Sequence, residues 1–228
     1  MIIKKIATYF KPAELVLLLF SYVVITVFFF IFDGKNYLSY IASLLGATSL
    51  ILNAKGNPLG QLIMIVFSVL YGIISYTFSY YGEMITYLGM TAPMALFALI
   101  SWLRHPYQGK RTEVKVNILS VKEVLFMLFL SVPVTIAFYF ILRAFHTANL
   151  LPSTLSVTTS FLAVYLTFRR SPFFALCYAL NDVILIVLWL LATLENLSYV
   201  SVLVCFCVFL LNDLYGFINW LKMRKKQK

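Results

Sequence analysis

Residues 101–124 read SWLRHPYQGKRTEVKVNILSVKEV, and Arg104, Lys110, Arg111, Lys115 and Lys122 fall there between two long apolar runs. The neighbouring gaps differ. Residues 79–82 hold no Lys or Arg, and the gap that follows the next run holds only Arg143 at its edge. One gap farther out the basic residues return, as Lys55 on one side and Arg169 and Arg170 on the other. Beyond these, Lys35 stands alone. The ends carry Lys4, Lys5 and Lys11, and then Lys222, Arg224, Lys225, Lys226 and Lys228. Of 18 basic residues, 16 occupy alternate gaps and 2, Lys35 and Arg143, occupy the others. Such alternation marks a polytopic membrane protein, with the basic gaps on the cytoplasmic side. Both termini are then expected in the cytoplasm, and the number of spans must be even.

About 20 apolar residues cross a bilayer, and eight runs qualify: about 13–32, 38–53, 59–78, 83–104, 121–143, 153–168, 172–194 and 198–221. The second and sixth are short. The chain is 62% hydrophobic and 11% charged, with a mean hydropathy of +0.94, whereas a soluble domain carries roughly a quarter charged residues. The net charge of +10 sits in short loops and a tail, where it meets lipid headgroups. The expected partner is therefore the bilayer of the cell membrane, and nucleic acid is excluded. No strand alternation is present for a barrel, so the spans must be helices, giving an all-α polytopic membrane protein. Cys177, Cys205 and Cys207 lie inside apolar runs, and no disulfide framework, metal site or cofactor is expected. The first run follows Lys4, Lys5 and Lys11 without a small-residue cleavage motif, so it is expected to remain as an uncleaved span.

The gap at 105–120 divides the chain into halves that repeat. Lys55-Gly-Asn-Pro58 precedes the third span, and Arg169-Arg-Ser-Pro172 precedes the seventh, 114 residues on. Trp102-Leu-Arg104 ends the fourth span and Trp220-Leu-Lys222 the eighth, and Tyr81 pairs with Tyr199, both at 118. These matches define two parallel three-helix units joined by one connecting helix, a 3+1+3 plan with an additional N-terminal helix. The expected organisation is 1–36 for that first helix, 37–104 for the first bundle, 105–152 for a cytoplasmic linker and connecting helix, and 153–228 for the second bundle and basic tail. Parallel repeats of this kind place a solute site near the midplane between the halves.

Acids inside a span are costly and mark function or helix bracing. Asp182, beside Asn181, lies in the middle of the seventh span, and Asp213, beside Asn212, lies in the eighth toward its cytoplasmic end. Tyr178 and Trp189 share the face of Asp182. Asn219 shares the face of Asn212, with Tyr215 and Gly216 between them. The first unit offers Gln61, Ser68, Tyr71 and Tyr87, with Glu83 at the outer end of the fourth span. Carboxylates, carboxamides and flat aromatic rings suit a small, flat, polar solute that is uncharged or cationic. Trp102 and Trp220 read as membrane-edge anchors. Gly56 and Gly60 read as a close helix entry, and His105 and His146 lie in loops on opposite faces.

These residues resemble the PnuC-type family of vitamin and nucleoside transporters. The resemblance runs through Tyr80-Tyr-Gly-Glu83, Pro93-Met94, Arg169-Arg170 followed by Tyr178, Asp182 and Trp189, and above all Asn212-Asp-Leu-Tyr-Gly-Phe-Ile-Asn-Trp220. It covers about residues 40–222, with 105–150 matched only by layout. It implies a core related to the SWEET sugar transporters. It also implies facilitated uptake of an unphosphorylated vitamin or nucleoside by alternating access, with a cytosolic kinase trapping the solute, and a homotrimer. Nicotinamide riboside is the leading solute, with thiamine, riboflavin and deoxynucleosides as alternatives. The chain departs from nicotinamide riboside members at three positions. It has Phe67-Ser68 where many carry Asn, Ala95 where many carry Gln, and Tyr178 where the family has Trp.

An intramembrane enzyme is disfavoured. No Gly-x-Gly-Asp element is present, no His lies in a span, and the eight acids are too scattered to hold a metal. A substrate-capture subunit that depends on partner proteins would gain little from a duplicated unit.

Overall fold

The computed structural model describes residues 9–77, 81–147 and 149–227. Lys4, Lys5, Lys228 and Tyr80 of the motifs above lie outside the described residues. Among the described residues, eight helices are long and apolar enough to cross a membrane. They are α1 (Pro12–Asp33), α2 (Tyr37–Ala54), α3 (Leu59–Thr77), α4 (Tyr81–Arg104), α5 (Val121–Ala144), α6 (Leu150–Phe168), α7 (Phe173–Glu195) and α8 (Val200–Lys226). The second and sixth are of full spanning length at 18 and 19 residues. α8 runs into the basic tail, whose Arg224, Lys225 and Lys226 complement the negative C-terminal end of its dipole. α4 contains a π-turn at Tyr87–Thr91. This wider turn comes just before Pro93, which lacks the N–H that a regular ladder needs.

The two units are built alike around equivalent tight turns. Lys55 N–H donates to Ile51, Asn57 N–H to Leu52 and Gly60 N–H to Asn57. The counterparts 114 residues on are Arg169 to Tyr165, Ser171 to Leu166 and Phe174 to Ser171. The pivots are Gly56 at φ +68° and Arg170 at φ +56°, both left-handed. Only the first pivot has the residue type that adopts this conformation without strain.

The units also exchange hydrogen bonds. The Trp102 indole on α4 donates to the Thr167 carbonyl of α6 (2.9 Å), and the Trp220 indole on α8 donates to the Asn53 carbonyl of α2 (2.8 Å). One residue earlier, Ser101 donates to Phe168 (2.9 Å) and Asn219 donates to Ala54 (2.8 Å). Both tryptophans are 0% exposed and their rings meet at 5.4 Å. They are therefore a central clasp rather than membrane-edge anchors. A buried indole must place its N–H on an acceptor, and here the acceptors are carbonyls in the last turns of α6 and α2, each of which also accepts a backbone N–H from the turn that follows.

The linker departs from an all-helical reading. Pro106–Tyr107 (β1) and Lys110–Val114 (β2) form an antiparallel hairpin. Gln108 and Gly109, both at positive φ, make the two-residue turn such a hairpin favours. Val114 N–H donates to Gly56 and Asn117 N–H donates to Arg170, so the linker ties both pivots. The buried Val114 packs with Trp102, Phe174, Trp220 and Met223. α5 is the connecting helix, and it exposes Leu125, Phe126, Phe129, Ile136 and Phe140 to the lipid side. α1 lies outside the two units. It holds α2 through Tyr22–Thr48 (2.6 Å) and Thr26–Tyr40 (2.9 Å).

At the start of α3 a Cβ on Gly60 would lie 2.7 Å from the backbone nitrogen of Asn53 and 2.2 Å from its Oδ1. Gly60→Ala is expected to push α2 and α3 apart at a cost of about 1–3 kcal/mol. Thermal unfolding in detergent reads this as a lowered Tm, and an unchanged Tm would mean that the two helices are not in close contact there.

Candidate functional site

A cavity of about 310 Å³ opens at the end of the bundle remote from Pro12 and Lys226. Gly82, Glu83, Thr86 and Tyr87 of α4 form one wall. Ser153, Ser156 and Ser160 of α6 form another, and Asn181, Trp189 and Glu195 of α7 a third, with Asn149 at the mouth. The cavity narrows toward a smaller cleft of about 40 Å³ where helices of both units meet. Gly46 and Leu50 come from α2, Met64 and Phe67 from α3, Thr91 from α4, Tyr178 and Asp182 from α7, and Phe209 and Asp213 from α8. Tyr87, Ser160, Asn181 and Leu185 line both spaces and connect them. Beyond the cleft, the packed layer of Trp102, Phe174 and Trp220 closes the path toward the terminal end.

Asp182 and Asp213 are each 5% exposed, and they line the same cleft from α7 and α8. Asp213 therefore sits at the depth of Asp182, not toward the helix end. Its reading as a shallow residue fails because α8 continues to Lys226. One oxygen of Asp182 has no hydrogen-bond partner among the described residues. Asn181 is held from behind, its Oδ1 accepting from Thr159 (2.9 Å) and Ser160 (3.1 Å). That leaves its NH2 to donate into the cavity. One oxygen of the Glu83 carboxyl and the hydroxyl of Tyr71 are buried without a hydrogen-bond partner among the described residues. Tyr71 lies in a side recess with Trp189 and Phe206.

The structure thus brings Glu83, Tyr87, Asn181 and Trp189 to the large cavity, and Tyr178, Asp182 and Asp213 to the cleft beneath it. The remaining sequence candidates lie outside both spaces. Asn212 donates to Ser21 (3.0 Å) and Val208 (2.8 Å), and Tyr215 donates to Glu14 (3.1 Å). Gln61 donates to Asn53 (2.9 Å), and Ser68 to the Met64 carbonyl one turn back (2.8 Å). Asn219 bridges Ala54 and Lys11. Sequence reasoning missed Ser153, Ser156, Ser160, Thr86 and Asn149, whose small polar side chains carry no motif. It also missed Glu14, which is 0% exposed and paired to Lys55 at 2.6 Å.

Among the described residues no Lys, Arg or His lines either space, while Glu83, Glu195, Asp182 and Asp213 do. Nor does any group of three or more metal-ligating side chains occur among them. A helical membrane bundle whose polar vestibule narrows to a cleft between repeated units has the layout of a carrier for a small solute.

Comparison with known proteins agrees. The family model of the nicotinamide mononucleotide transporters matches residues 36–222, and the chain belongs to that family. The nicotinamide riboside transporter PnuC of Neisseria mucosa is 29% identical over 204 residues, covering 86% of this chain and 76% of the relative. The crystal structure of a vitamin B3 transporter PnuC superposes with a TM-score of 0.84 at 26% identity, covering 96% of this chain and 94% of that one. These relatives are transporters, so the chain is a membrane transport protein and not an enzyme.

Proposed function

We propose that the chain takes up an unphosphorylated, flat, cationic or neutral vitamin or nucleoside, nicotinamide riboside first among them. The observation that carries this reading is the charge of the pathway. Four carboxyl groups and no basic side chain line it among the described residues. A phosphate dianion entering such a space meets like charge in a low-dielectric wall, whereas a pyridinium ribonucleoside meets opposite charge and rings to stack on. The mononucleotide named in the family's description is therefore disfavoured as cargo here. The cavity volume lies at the small end of ligand sites, which favours one heterocycle with its sugar over a tricyclic flavin. Thiamine and deoxynucleosides remain the alternative cargoes.

The protein lies in the cell membrane with both termini cytoplasmic, so the large cavity faces outward. The two units rock about the Trp102–Trp220 contact to expose the cleft to each side in turn. No basic side chain accompanies the acids among the described residues, and this favours facilitated diffusion, drawn inward by a cytosolic kinase that phosphorylates the arriving solute. A homotrimer is the assembly in which it works.

The test is uptake by the purified chain in liposomes, with nicotinamide riboside, its mononucleotide, thiamine, riboflavin and deoxynucleosides as cargoes. Saturable entry of the riboside that levels at the external concentration is expected, with little entry of the mononucleotide. Preferential uptake of the mononucleotide, or accumulation driven by a proton gradient, overturns the reading.

A further inference from the structure

A second cavity, of about 230 Å³, lies at the opposite end of the molecule and plays no part in the pathway above. Its walls come from four elements that sequence separates widely. These are the segment leading into α1, the end of α2, strand β2 and the last turns of α8. Four ammonium groups converge on it, from Lys11, Lys55, Lys222 and Lys226, against two carboxylates, Glu14 and Glu113.

The floor is rigid. Glu14 is fully buried and accepts from Lys55 Nζ (2.6 Å), from Lys11 N–H (2.8 Å) and from the Tyr215 hydroxyl (3.1 Å). Lys55 Nζ also sits 4.5 Å over the Tyr9 ring, and Lys11 Nζ reaches the Asn219 amide oxygen at 3.0 Å. The rim is looser. Lys226 is 3.8 Å from Glu113 with its side chain 68% exposed, and no ion pair holds Lys222 among the described residues.

Topology alone explains lysines on this face, because positive charge gathers at one side of a membrane protein. It does not explain their convergence around a void floored by a buried, fully bonded ion pair. Tyr9, Lys11, Glu14, Thr112 and Glu113 enclose it from outside the helices that line the solute pathway, and Lys226 closes it from the end of α8. Of these, Tyr9, Lys11, Glu14 and Lys226 also fall outside residues 36–222 that match the family.

We propose that this cavity binds a phosphate group, supplied either by a soluble phosphate monoester or by the headgroup of an anionic lipid. The charge balance favours an anion. Rim lysines with exposed stems move to meet it, while the buried Lys55–Glu14 pair fixes the shape of the floor. The two ends of the molecule then have opposite preferences, with the acidic pathway rejecting phosphate and the basic recess holding it. An occupied recess also ties α1, the linker hairpin and α8 together through one ligand.

The experiment is calorimetric titration of the purified full chain in neutral detergent with inorganic phosphate, adenosine monophosphate and adenosine, beside thermal unfolding in phosphatidylcholine nanodiscs with and without phosphatidylglycerol. Removing two rim charges in Lys222→Gln/Lys226→Gln should weaken phosphate or monophosphate binding by about tenfold or more. Glu113→Gln should strengthen it, and added salt should weaken it in the unaltered chain. Adenosine should show no dependence on these lysines. If the soluble phosphates do not bind but phosphatidylglycerol raises Tm in the unaltered chain and not in the double variant, the source is the lipid headgroup. If neither phosphate nor phosphatidylglycerol separates the unaltered chain from the double variant, the proposal fails. The transport reading is untouched by that result, since these residues lie outside the solute pathway.

Discussion

Asp182→Asn is expected to lower affinity for a cationic pyridinium riboside by about tenfold to a hundredfold, while the protein still folds and reaches the membrane. The magnitude is that of a charged hydrogen bond, about 1.5–3 kcal/mol. Asp182 and Asp213 both line the cleft, and when ionised Asp182 presents its charge on an oxygen with no hydrogen-bond partner among the described residues. The walls around it are largely apolar, and no basic side chain lines the cleft among the described residues. A cation that reaches the cleft is the partner this charge lacks. Asn at position 182 keeps the size and shape of the side chain, so the α7–α8 packing survives. Titration of nicotinamide riboside against a neutral nucleoside separates two roles. Loss for the cation alone assigns Asp182 to charge recognition. Equal loss for both, or no loss, reduces it to a brace between helices.

The eight helices were legible because the bilayer imposes them. A span needs its apolar length, and the basic gaps orient it. The repeat was legible at Lys55-Gly-Asn-Pro58 and Arg169-Arg-Ser-Pro172 because both stretches make the same turn, although Arg170 adopts a left-handed conformation that its residue type does not announce. The site was legible in part. Asp182, Asn181 and Trp189 declare themselves as polar or amphipathic groups mid-span. The depth of Asp213 was misjudged because a helix that runs into a basic tail has no visible end. The tryptophans were misread because an indole at a membrane edge and an indole clasping a carbonyl occupy the same sequence position. Ser153, Ser156 and Ser160 gave no signal at all, since a serine in a span ordinarily bonds its own helix backbone. Only the packing of α6 against α7 turns this row toward a cavity.

Glu14→Leu is expected to destabilise the protein by about 3–5 kcal/mol, because it leaves the ammonium of Lys55 without its counter-charge in a nearly closed site. The Lys55 side chain is 12% exposed and that of Glu14 0%. The same change removes the acceptor for Lys11 N–H at the start of α1 and for the Tyr215 hydroxyl, so three elements lose one common anchor. The penalty arises from the orphaned charge more than from the pair itself, since two buried charges roughly offset their own desolvation. The double change Glu14→Leu/Lys55→Met should therefore recover much of the loss. Thermal unfolding of the single and double variants in detergent gives the coupling between the two positions. A large single effect with recovery in the double variant identifies a buried pair that fixes α1 against α2 and α8. A small single effect means that Lys55 escapes to water when Glu14 is gone, and α1 is then held to the bundle by Tyr22, Thr26 and its apolar face.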